Sequence, residues 1–477
     1  MAYAGSARAI DIDPSFLHTR SKMDADDGSP AMTSIASPAI VDWREADDDK
    51  RHRLLSRGGV ADRLGRRAEL ARAIAELVER VRSEGDKALV EALAEFDGVD
   101  IDPAGLRVSE EEVRQAAASL PVRTIEAIQL AIAQVRAYNE AALARAGWRD
   151  EVGGIQLGEL VRPMESTGLY VPAGKGSFPS VLIMVATPAV VAGVQRIALV
   201  VPPTPGTGGR VDPAVLAAAE SLGITEIYRS NGPAGIAALA CGTATIPAVR
   251  KIVGPGSPAV SAAMAEVQRL GCVVEVGYGP TDSLIVSDAH ADPVLLAADL
   301  VNEAEHGSDS SAVLVGTDPN VLRRAAEEVA KQINALPAPW RDYARASIHD
   351  NGGIVLAGSP QEAMDIANEY APEHLQLAVA DPEAWLALVR HAGTVLLGQW
   401  TTMAASNFAI GTPATLPTSG FAKVVSGVSV HTYLTRIAVA RLEEEAFWRL
   451  APTIRTLAEH EGFPAHARSV AIREGRV

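Results

Sequence analysis

The sequence predicts an α/β protein made of two doubly wound parallel-sheet domains, with helical segments at both ends. Two trains of short Val/Ile/Leu runs alternate with Ala-rich stretches of helical periodicity, one over residues 197–253 and the other over residues 283–379. The runs are continuously apolar, as expected of parallel strands that helices cover on both faces. The chain has 477 residues and is 48% hydrophobic, which is ample for more than one domain core.

Strands and helices are expected to alternate in both trains. The first train predicts strands at 197–201, 224–228 and 250–253, and helices at 211–222 and 233–241. The second predicts strands at 283–287, 312–315, 354–356 and 374–379, and helices at 293–305, 320–336 and 360–370. Such an order is typical of parallel strands joined by crossover helices.

Helical periodicity also marks the regions on either side of these trains. Near the start, Ile74, Leu77 and Val81 fall on one helical face before a break at Gly85-Asp86, and a second helix is expected after it. Near the end, Arg436 to Val470 is predicted to be helical.

These patterns divide the chain into five parts. Residues 1–42 mix Ser, Asp, Pro and Met without periodicity, so they are expected to be disordered or an over-extended start. The other parts are a helical region (43–150), a first Rossmann-like domain (151–275), a second Rossmann-like domain (276–435) and a C-terminal helical segment (436–477).

Composition restricts the class of function. A net charge of -16 disfavours nucleic acid and anionic membrane surfaces as partners, because both repel an acidic protein. No membrane span is expected, since Pro188 and Arg196 interrupt the apolar run from Pro179 to Val201. Cys241 and Cys272 both lie in apolar segments, which predicts buried reduced thiols. A cytoplasmic enzyme that acts on a small molecule fits these features.

Glycine-rich turns are the first candidates for a binding site. The complete Gly-x-Gly-x-x-Gly fingerprint is missing, but Pro-Ala-Gly-Lys-Gly at 172–176 and Gly-Pro-Gly at 254–256 are each predicted at a strand-to-helix junction. Bare backbone there can approach a pyrophosphate at a helix N-terminus. A tight turn explains either motif as well, so the pattern alone leaves both interpretations open.

Two further motifs carry acids beside imidazoles. Glu303 and His306 are three residues apart at the end of a predicted helix, which suits either a shared metal ion or an exposed pair stabilised by the helix dipole. Glu373 and His374 follow Pro372, which ends the preceding helix. We expect this second pair at the carboxyl edge of a parallel sheet, as proton acceptors of different strength or as a solvated loop pair.

Taken together, the motifs resemble the histidinol dehydrogenase family from about Trp43 to the C-terminus, as a divergent member. The matching segments are Gly-Leu-Tyr-Val-Pro (168–172), Ile-Ala-Ala-Leu-Ala (236–240), Ala-Glu-His-Gly (304–307), Tyr-Ala-Pro-Glu-His-Leu (370–375), Leu-Pro-Thr (416–418) and Pro-Ala-His (464–466). The resemblance implies a homodimer with exchanged C-terminal helices. It also implies an NAD- and zinc-dependent enzyme of histidine biosynthesis that oxidises an amino alcohol to the carboxylate in two hydride transfers.

The resemblance assigns roles to individual residues. His374 matches the family's general base, and Glu373 matches the group that activates water. Tyr170 matches a nucleotide contact, while Ala234 and Ser257 stand where the family has Gln and Asn at the nucleotide. Two side-chain hydrogen bonds to NAD are therefore expected to be lost.

The implied zinc ligands are His306, His466 of the other subunit, Glu303 and Asn407. Glu303 and Asn407 replace a Gln and an Asp, so the formal charge of the ligand set is unchanged, and a divalent metal site with oxygen ligands is expected. The implied substrate contacts are Thr281, Glu303, His306, His374, Asn407, Glu461 and His466.

Some pocket positions depart from the family. Phe408, Ala414 and Thr281 stand where the family has Tyr, His and Ser. Loss of polar groups that face a buried imidazole weakens recognition of L-histidinol by about 1 to 3 kcal/mol. The same chemistry on another small polar alcohol, such as a sulfonated diol, is therefore an alternative, and a non-catalytic metabolite-binding paralogue is a second one. The intact Glu373-His374 pair speaks against the second alternative.

Overall fold

The computed structural model of the chain describes residues 34–59, 67–173 and 176–475. Its strands are β1 (Ile40–Asp42), β2 (Trp148–Val152), β3 (Ile155–Pro163), β4 (Ser166–Tyr170), β5 (Arg196–Val201), β6 (Glu226–Arg229), β7 (Lys251–Val253), β8 (Val273–Val274), β9 (Asp282–Ser287), β10 (Ser311–Gly316), β11 (Gly353–Leu356), β12 (His374–Ala378), β13 (Thr394–Leu397) and β14 (Leu434–Leu442).

Its α-helices are α1 (Asp48–Leu55), α2 (Arg67–Glu84), α3 (Asp86–Ala92), α4 (Glu110–Ser119), α5 (Val122–Leu143), α6 (Pro179–Ala192), α7 (Pro213–Ser221), α8 (Gly232–Cys241), α9 (Pro258–Val267), α10 (Pro293–Ala304), α11 (Pro319–Ala335), α12 (Trp340–Arg345), α13 (Pro360–Tyr370), α14 (Pro382–Leu386), α15 (Met403–Phe408), α16 (Glu444–His460) and α17 (Pro464–Arg473). None of those within the described ranges is long and apolar enough to cross a membrane.

Two parallel sheets form the body of the molecule. The five-stranded sheet has the order β6-β5-β4-β7-β8, and the six-stranded sheet has the order β1-β11-β10-β9-β12-β13. In each sheet the strand order reverses beside a central strand, at β4/β7 and at β9/β12, which is the topology of a doubly wound fold. The predicted α/β class with two such sheets is confirmed.

The edge strand of the six-stranded sheet comes from the beginning of the chain. Ile40, Val41 and Asp42 pair in parallel with Ile354, Val355 and Leu356 of β11. The end of the segment expected to be disordered is therefore ordered by a partner more than three hundred residues away. Residues 1–33, which carry the rest of that expectation, lie outside the described ranges.

A third sheet, antiparallel, was not expected from the sequence. Val152 pairs with Ile155 across the two-residue turn Gly153-Gly154, so β2 and β3 form a tight hairpin. β14 then pairs with β3 along nine residue pairs. The predicted helix from Arg436 is wrong up to Leu442, because strand pairing overrides the helical propensity of its Ala and Arg residues; helix α16 begins at Glu444.

Helices cover both faces of the two parallel sheets. Leu199 and Val201 of β5 face α6 and α7, whereas Ala198 and Val200 face α2 and α8. In the six-stranded sheet, Ile285 of β9 faces α10 and α11. The alternation of faces along each strand explains why the runs are apolar throughout.

Helix α10 connects the core to the polar end of the six-stranded sheet, so its packing is expected to control stability. Leu300 is fully buried on it. We predict that Leu300→Ala lowers the free energy of unfolding by about 2 to 5 kcal/mol, because it removes buried apolar surface and leaves a cavity. Leu130→Ala is the matched control, since Leu130 on α5 is 57% exposed. Equal urea midpoints for the two variants would contradict this packing.

Candidate active site

Polar residues gather at the amino edge of the six-stranded sheet. His374 begins β12 and lies beside Ser283, the second residue of β9. Helix α10 follows β9 and runs back across the sheet, so its last turn, which carries Glu303, reaches the same edge. The expectation that Glu373 and His374 lie at the carboxyl edge is therefore wrong, because the first residue of a parallel strand lies at the amino edge.

His374 faces helix α10. Gln376 shares its face of the strand and donates from Nε2 to the Asp299 carboxylate at 2.7 Å. Asp299 lies one helical turn before Glu303, whose carboxylate acts electrostatically on His374. His374 and Glu303 are each 1% exposed, so the base and the acid share a buried environment.

The two carboxylate oxygens of Glu303 differ in their hydrogen bonds. Its Oε1 accepts hydrogen bonds from Asn302 Nδ2 and Asn407 Nδ2, both at 2.9 Å. Its Oε2 is buried and has no hydrogen-bond partner among the described residues. Because an unpaired buried carboxylate oxygen is costly, Oε2 is suited to bind a cation or a ligand donor.

His306 is oriented by the same residue. Its Nδ1 lies 3.1 Å from the carbonyl oxygen of Glu303, and the residue is exposed just beyond the end of α10. A proton on Nδ1 donated to that carbonyl leaves the Nε2 lone pair available, which is the usual arrangement of a metal-binding imidazole.

Glu303, His306 and Asn407 therefore fit an incomplete site for a divalent metal, since they offer nitrogen and oxygen donors from one small region. Within residues 34–59, 67–173 and 176–475, no three His, Cys, Asp or Glu side chains are grouped so that they could hold an ion. His466 of the same chain thus does not join Glu303 and His306.

Glu373 and His374 have protonation states set by burial. Burial raises the pKa of Glu373 well above its usual value, and the nearby carboxylates of Asp282 and Glu303 raise it further. Burial lowers the pKa of His374. The nearest pair of their charged atoms, Glu373 Oε1 and His374 Nε2, is 3.8 Å apart. The arrangement thus favours a neutral imidazole beside a carboxyl group of high proton affinity.

Two residues beside this pair were missed by the sequence reasoning. Asp282 accepts the backbone N–H of Glu373 at 2.8 Å, and Arg57 pairs with Asp282 at 2.6 Å. The sequence contains a weak indication of Asp282, since this residue directly precedes the strand predicted at 283–287. It contains no indication of Arg57, because Asp282 and Tyr370, which Arg57 contacts, are more than two hundred residues away in the chain.

The predicted nucleotide residues lie at the carboxyl edge of the five-stranded sheet. Tyr170 is the last residue of β4, at the strand reversal where doubly wound folds bind ligands. A Cβ added to Gly232, at the start of α8, would lie 2.7 Å from Tyr170 Oη, and one added to Gly254 would collide with the Tyr170 carbonyl oxygen. Only glycine allows the backbone of these two turns to pack so closely against Tyr170.

The remaining predicted positions differ in accessibility. Ser257 is exposed and caps α9 by accepting the N–H of Val260, whereas Ala234 is fully buried in the core. Gly174 and Lys175 of the first glycine-rich motif lie outside the described residues. Thr281 is half-buried directly before Asp282, so it borders the polar edge of the other sheet.

Glu461 and His466 belong to a separate C-terminal unit. Helices α16 and α17 pack against each other, and the backbone N–H of Glu443, the residue before α16, donates to Gly154 in the hairpin turn. Both predicted residues are exposed there. The ring of His466 lies 5.3 Å from that of Phe463. In the single chain both side chains are therefore open to solvent.

Comparisons of the sequence and of the structure with known proteins identify the same family. A family model described as histidinol dehydrogenase matches residues 62–474. A histidinol dehydrogenase of Synechocystis sp. is 39% identical over 84% of this chain and 92% of its own length, and one of Rhizobium meliloti is 38% identical over 83% and 90%. The crystal structure of histidinol dehydrogenase from Elizabethkingia anophelis superposes with a TM-score of 0.81 at 32% identity, over 85% of this chain and 92% of that one.

The hydrogen bond from Asn407 to Glu303 is expected to contribute to the stability of the metal-free protein. Asn407→Asp places a second carboxylate where an amide now donates at 2.9 Å, so metal-free protein should lose about 1 to 3 kcal/mol of stability. The double variant Glu303→Gln/Asn407→Asp restores an amide-to-carboxylate hydrogen bond and should recover most of that loss. Thermal unfolding in the presence of a chelator measures both. A double variant no more stable than Asn407→Asp would show that the two side chains are not coupled.

Proposed function

The chain belongs to the histidinol dehydrogenase family, and from this we propose that it oxidises a small polar alcohol, through the aldehyde, to the carboxylate, with NAD and a divalent metal. The observation that carries the proposal is the buried Glu373–His374 pair beside the unpaired oxygen of Glu303. L-histidinol is the first candidate substrate, because the similar curated proteins bear the name of the enzyme that acts on it.

His374 is suited to take the proton from the alcohol. Its lowered pKa keeps the imidazole neutral, which is the form that accepts a proton, and burial keeps water from competing for it. NAD, when bound, accepts the hydride that leaves as the proton is removed. Tyr170 and the glycine turns around it supply the backbone cradle for the nucleotide.

Glu373 is suited to the second oxidation, which requires water to add to the aldehyde. A buried carboxylate whose pKa is raised holds a proton more strongly than an ordinary one, so it is the better base toward water. Its position next to His374 allows two proton acceptors to serve two successive steps. This division matches the roles that the family resemblance gives to the two residues.

Glu303 Oε2, His306 Nε2, Asn407 Oδ1 and His466 of the partner subunit would hold the metal. The first two are supported by the unpaired oxygen and by the orienting contact from His306 Nδ1 to the Glu303 carbonyl. A divalent metal, when bound, positions the polar groups of the substrate and withdraws charge from its oxygen. Zinc suits a donor set of imidazole and oxygen ligands.

A different alcohol is the second candidate substrate, and one observation favours it. Ala414, which stands where the family has His, packs its methyl group against the hydrophobic core of the first domain. No imidazole or other polar group at this position is left to face a histidinol ring. An alcohol with an anionic group, such as a sulfonated diol, does not need that contact.

The proposal predicts NADH formation that depends on His374. Purified protein with zinc should reduce NAD when given L-histidinol or one of a panel of small polar and sulfonated alcohols. His374→Ala should lower this turnover by about a hundredfold or more, because the base is lost. His290→Ala is the control, since the His290 side chain is 75% exposed. Absence of NADH with every alcohol would contradict an enzymatic function, and unchanged turnover in His374→Ala would contradict the site.

A homodimer with exchanged C-terminal helices predicts complementation between two inactive variants. In a heterodimer of a His374→Ala subunit and a His466→Ala subunit, one site keeps its own His374 and receives His466 of the partner subunit. That heterodimer, purified through two different tags, should have about half of the wild-type activity, whereas each variant homodimer should have only a small residual activity. An inactive heterodimer would mean that His466 serves the site of its own chain.

A further inference from the structure

We propose that Arg57 is a positioning residue for Glu373, and that it holds the turn before the catalytic pair through one buried guanidinium group. The proposal rests on the proposed function, which gives Glu373 its role in water activation. Arg57 itself does not need to touch substrate, NAD or metal. Neither the family comparison nor the sequence motifs assign it a role.

The guanidinium of Arg57 bonds to both segments that form the site. Its Nε donates to Asp282 Oδ2 at 2.6 Å, at the start of β9. Its Nη2 donates to the carbonyl oxygens of Tyr370 and Ala371, at 2.7 and 3.4 Å, at the end of α13. The group also stacks 4.0 Å from the centre of the Tyr370 ring. One planar cation therefore joins the start of one strand to the turn that precedes the next.

That turn determines where Glu373 lies. Ala371 has a left-handed backbone (φ 51°) and is followed by Pro372, so the chain reverses sharply between α13 and β12. A non-glycine residue in this region is strained and needs support from its surroundings. Arg57 supplies part of that support by holding the Ala371 and Tyr370 carbonyl oxygens.

Asp282 connects Arg57 to Glu373 through hydrogen bonds to both residues. Its Oδ1 accepts the Glu373 N–H at 2.8 Å, and its own N–H donates to Glu373 Oε2 at 3.4 Å. Its Oδ2, the oxygen bound by Arg57, also accepts the N–H of Ser419 at 2.5 Å. The Glu373 backbone is thus held by the Asp282 carboxylate, to which Arg57 also bonds, and the Glu373 side chain is held by the Asp282 backbone N–H.

Arg57 is itself held in an unfavourable conformation, with φ 56°. Gly58 follows it and fits closely against residue 350, where a Cβ would lie 2.5 Å from the Asp350 carbonyl oxygen. This strained backbone places the guanidinium beside Asp282 in the interior. The Arg57 side chain is 10% exposed and the Asp282 side chain is 1% exposed. A buried ion pair is weak support for stability, so a role in positioning explains the arrangement better.

Chemical rescue tests the proposal. In Arg57→Ala, kcat for the alcohol that wild-type protein oxidises should fall about 10- to 100-fold while KM changes little, because Glu373 is misplaced but the ligand contacts remain. Millimolar guanidinium ion should restore kcat with saturation by occupying the vacated cavity. Arg44→Ala is the control, since Arg44 pairs with Asp42 at 2.7 Å on the surface. It should show neither the loss nor the rescue.

A second readout does not depend on turnover. Hydrogen–deuterium exchange of the peptide spanning residues 370–375 should be faster in Arg57→Ala than in wild type, and guanidinium should slow it again. If wild type forms no NADH from any alcohol, the proposed function fails, and this exchange measurement still tests the positioning. Unchanged kcat in Arg57→Ala, or lost kcat with no guanidinium effect on turnover and exchange, would overturn the role.

Should Arg57→Ala not fold, Arg57→Lys takes its place. Lysine keeps the charge, but its single ammonium cannot reproduce the planar fork that reaches Asp282 and two carbonyl oxygens at once. Folded Arg57→Lys should therefore have reduced kcat and faster exchange over residues 370–375. Wild-type values of both in this variant would equally overturn the proposal.

Discussion

The buried ion pair between Arg57 and Asp282 is the contact on which the arrangement of the site depends. Together with the bonds of Arg57 to the Tyr370 and Ala371 carbonyl oxygens, it joins the segment after α1 to the start of β9 and to the turn before β12, which lie more than two hundred residues further along the chain. Each partner would be costly to bury alone, so the two segments are held in one relative position. The positions of Glu373 and His374 follow from it, because both residues leave that turn.

The two parallel sheets use opposite edges for different purposes. The five-stranded sheet presents Tyr170 and glycine turns at its carboxyl edge, as doubly wound folds that bind nucleotides do. The six-stranded sheet collects its acids and imidazoles at the amino edge, where the end of α10 meets the start of β12. The two sheets therefore present different chemistry at these edges: backbone turns at one, and titratable side chains at the other.

Local patterns predicted the parallel sheets well and the polar contacts poorly. Helix α13 was predicted with its observed limits, because Pro360 starts it and the residue before Pro372 ends it. Strands β3 and β14 were missed, since their pairing joins segments more than two hundred residues apart and their residues tolerate either state. Arg57 was missed for the same reason. The motif residues Glu303, His306, Glu373 and His374 were brought together because regular elements carry them.

Metal binding by nitrogen and oxygen donors at the amino edge of the six-stranded sheet is the central claim, and X-ray absorption at the zinc K-edge measures it most directly. Zinc-loaded protein is predicted to show only nitrogen and oxygen neighbours at about 2.0 to 2.2 Å, with the multiple scattering of imidazole. Sulfur neighbours at about 2.3 Å would place the metal at Cys241 or Cys272 and contradict the assigned site.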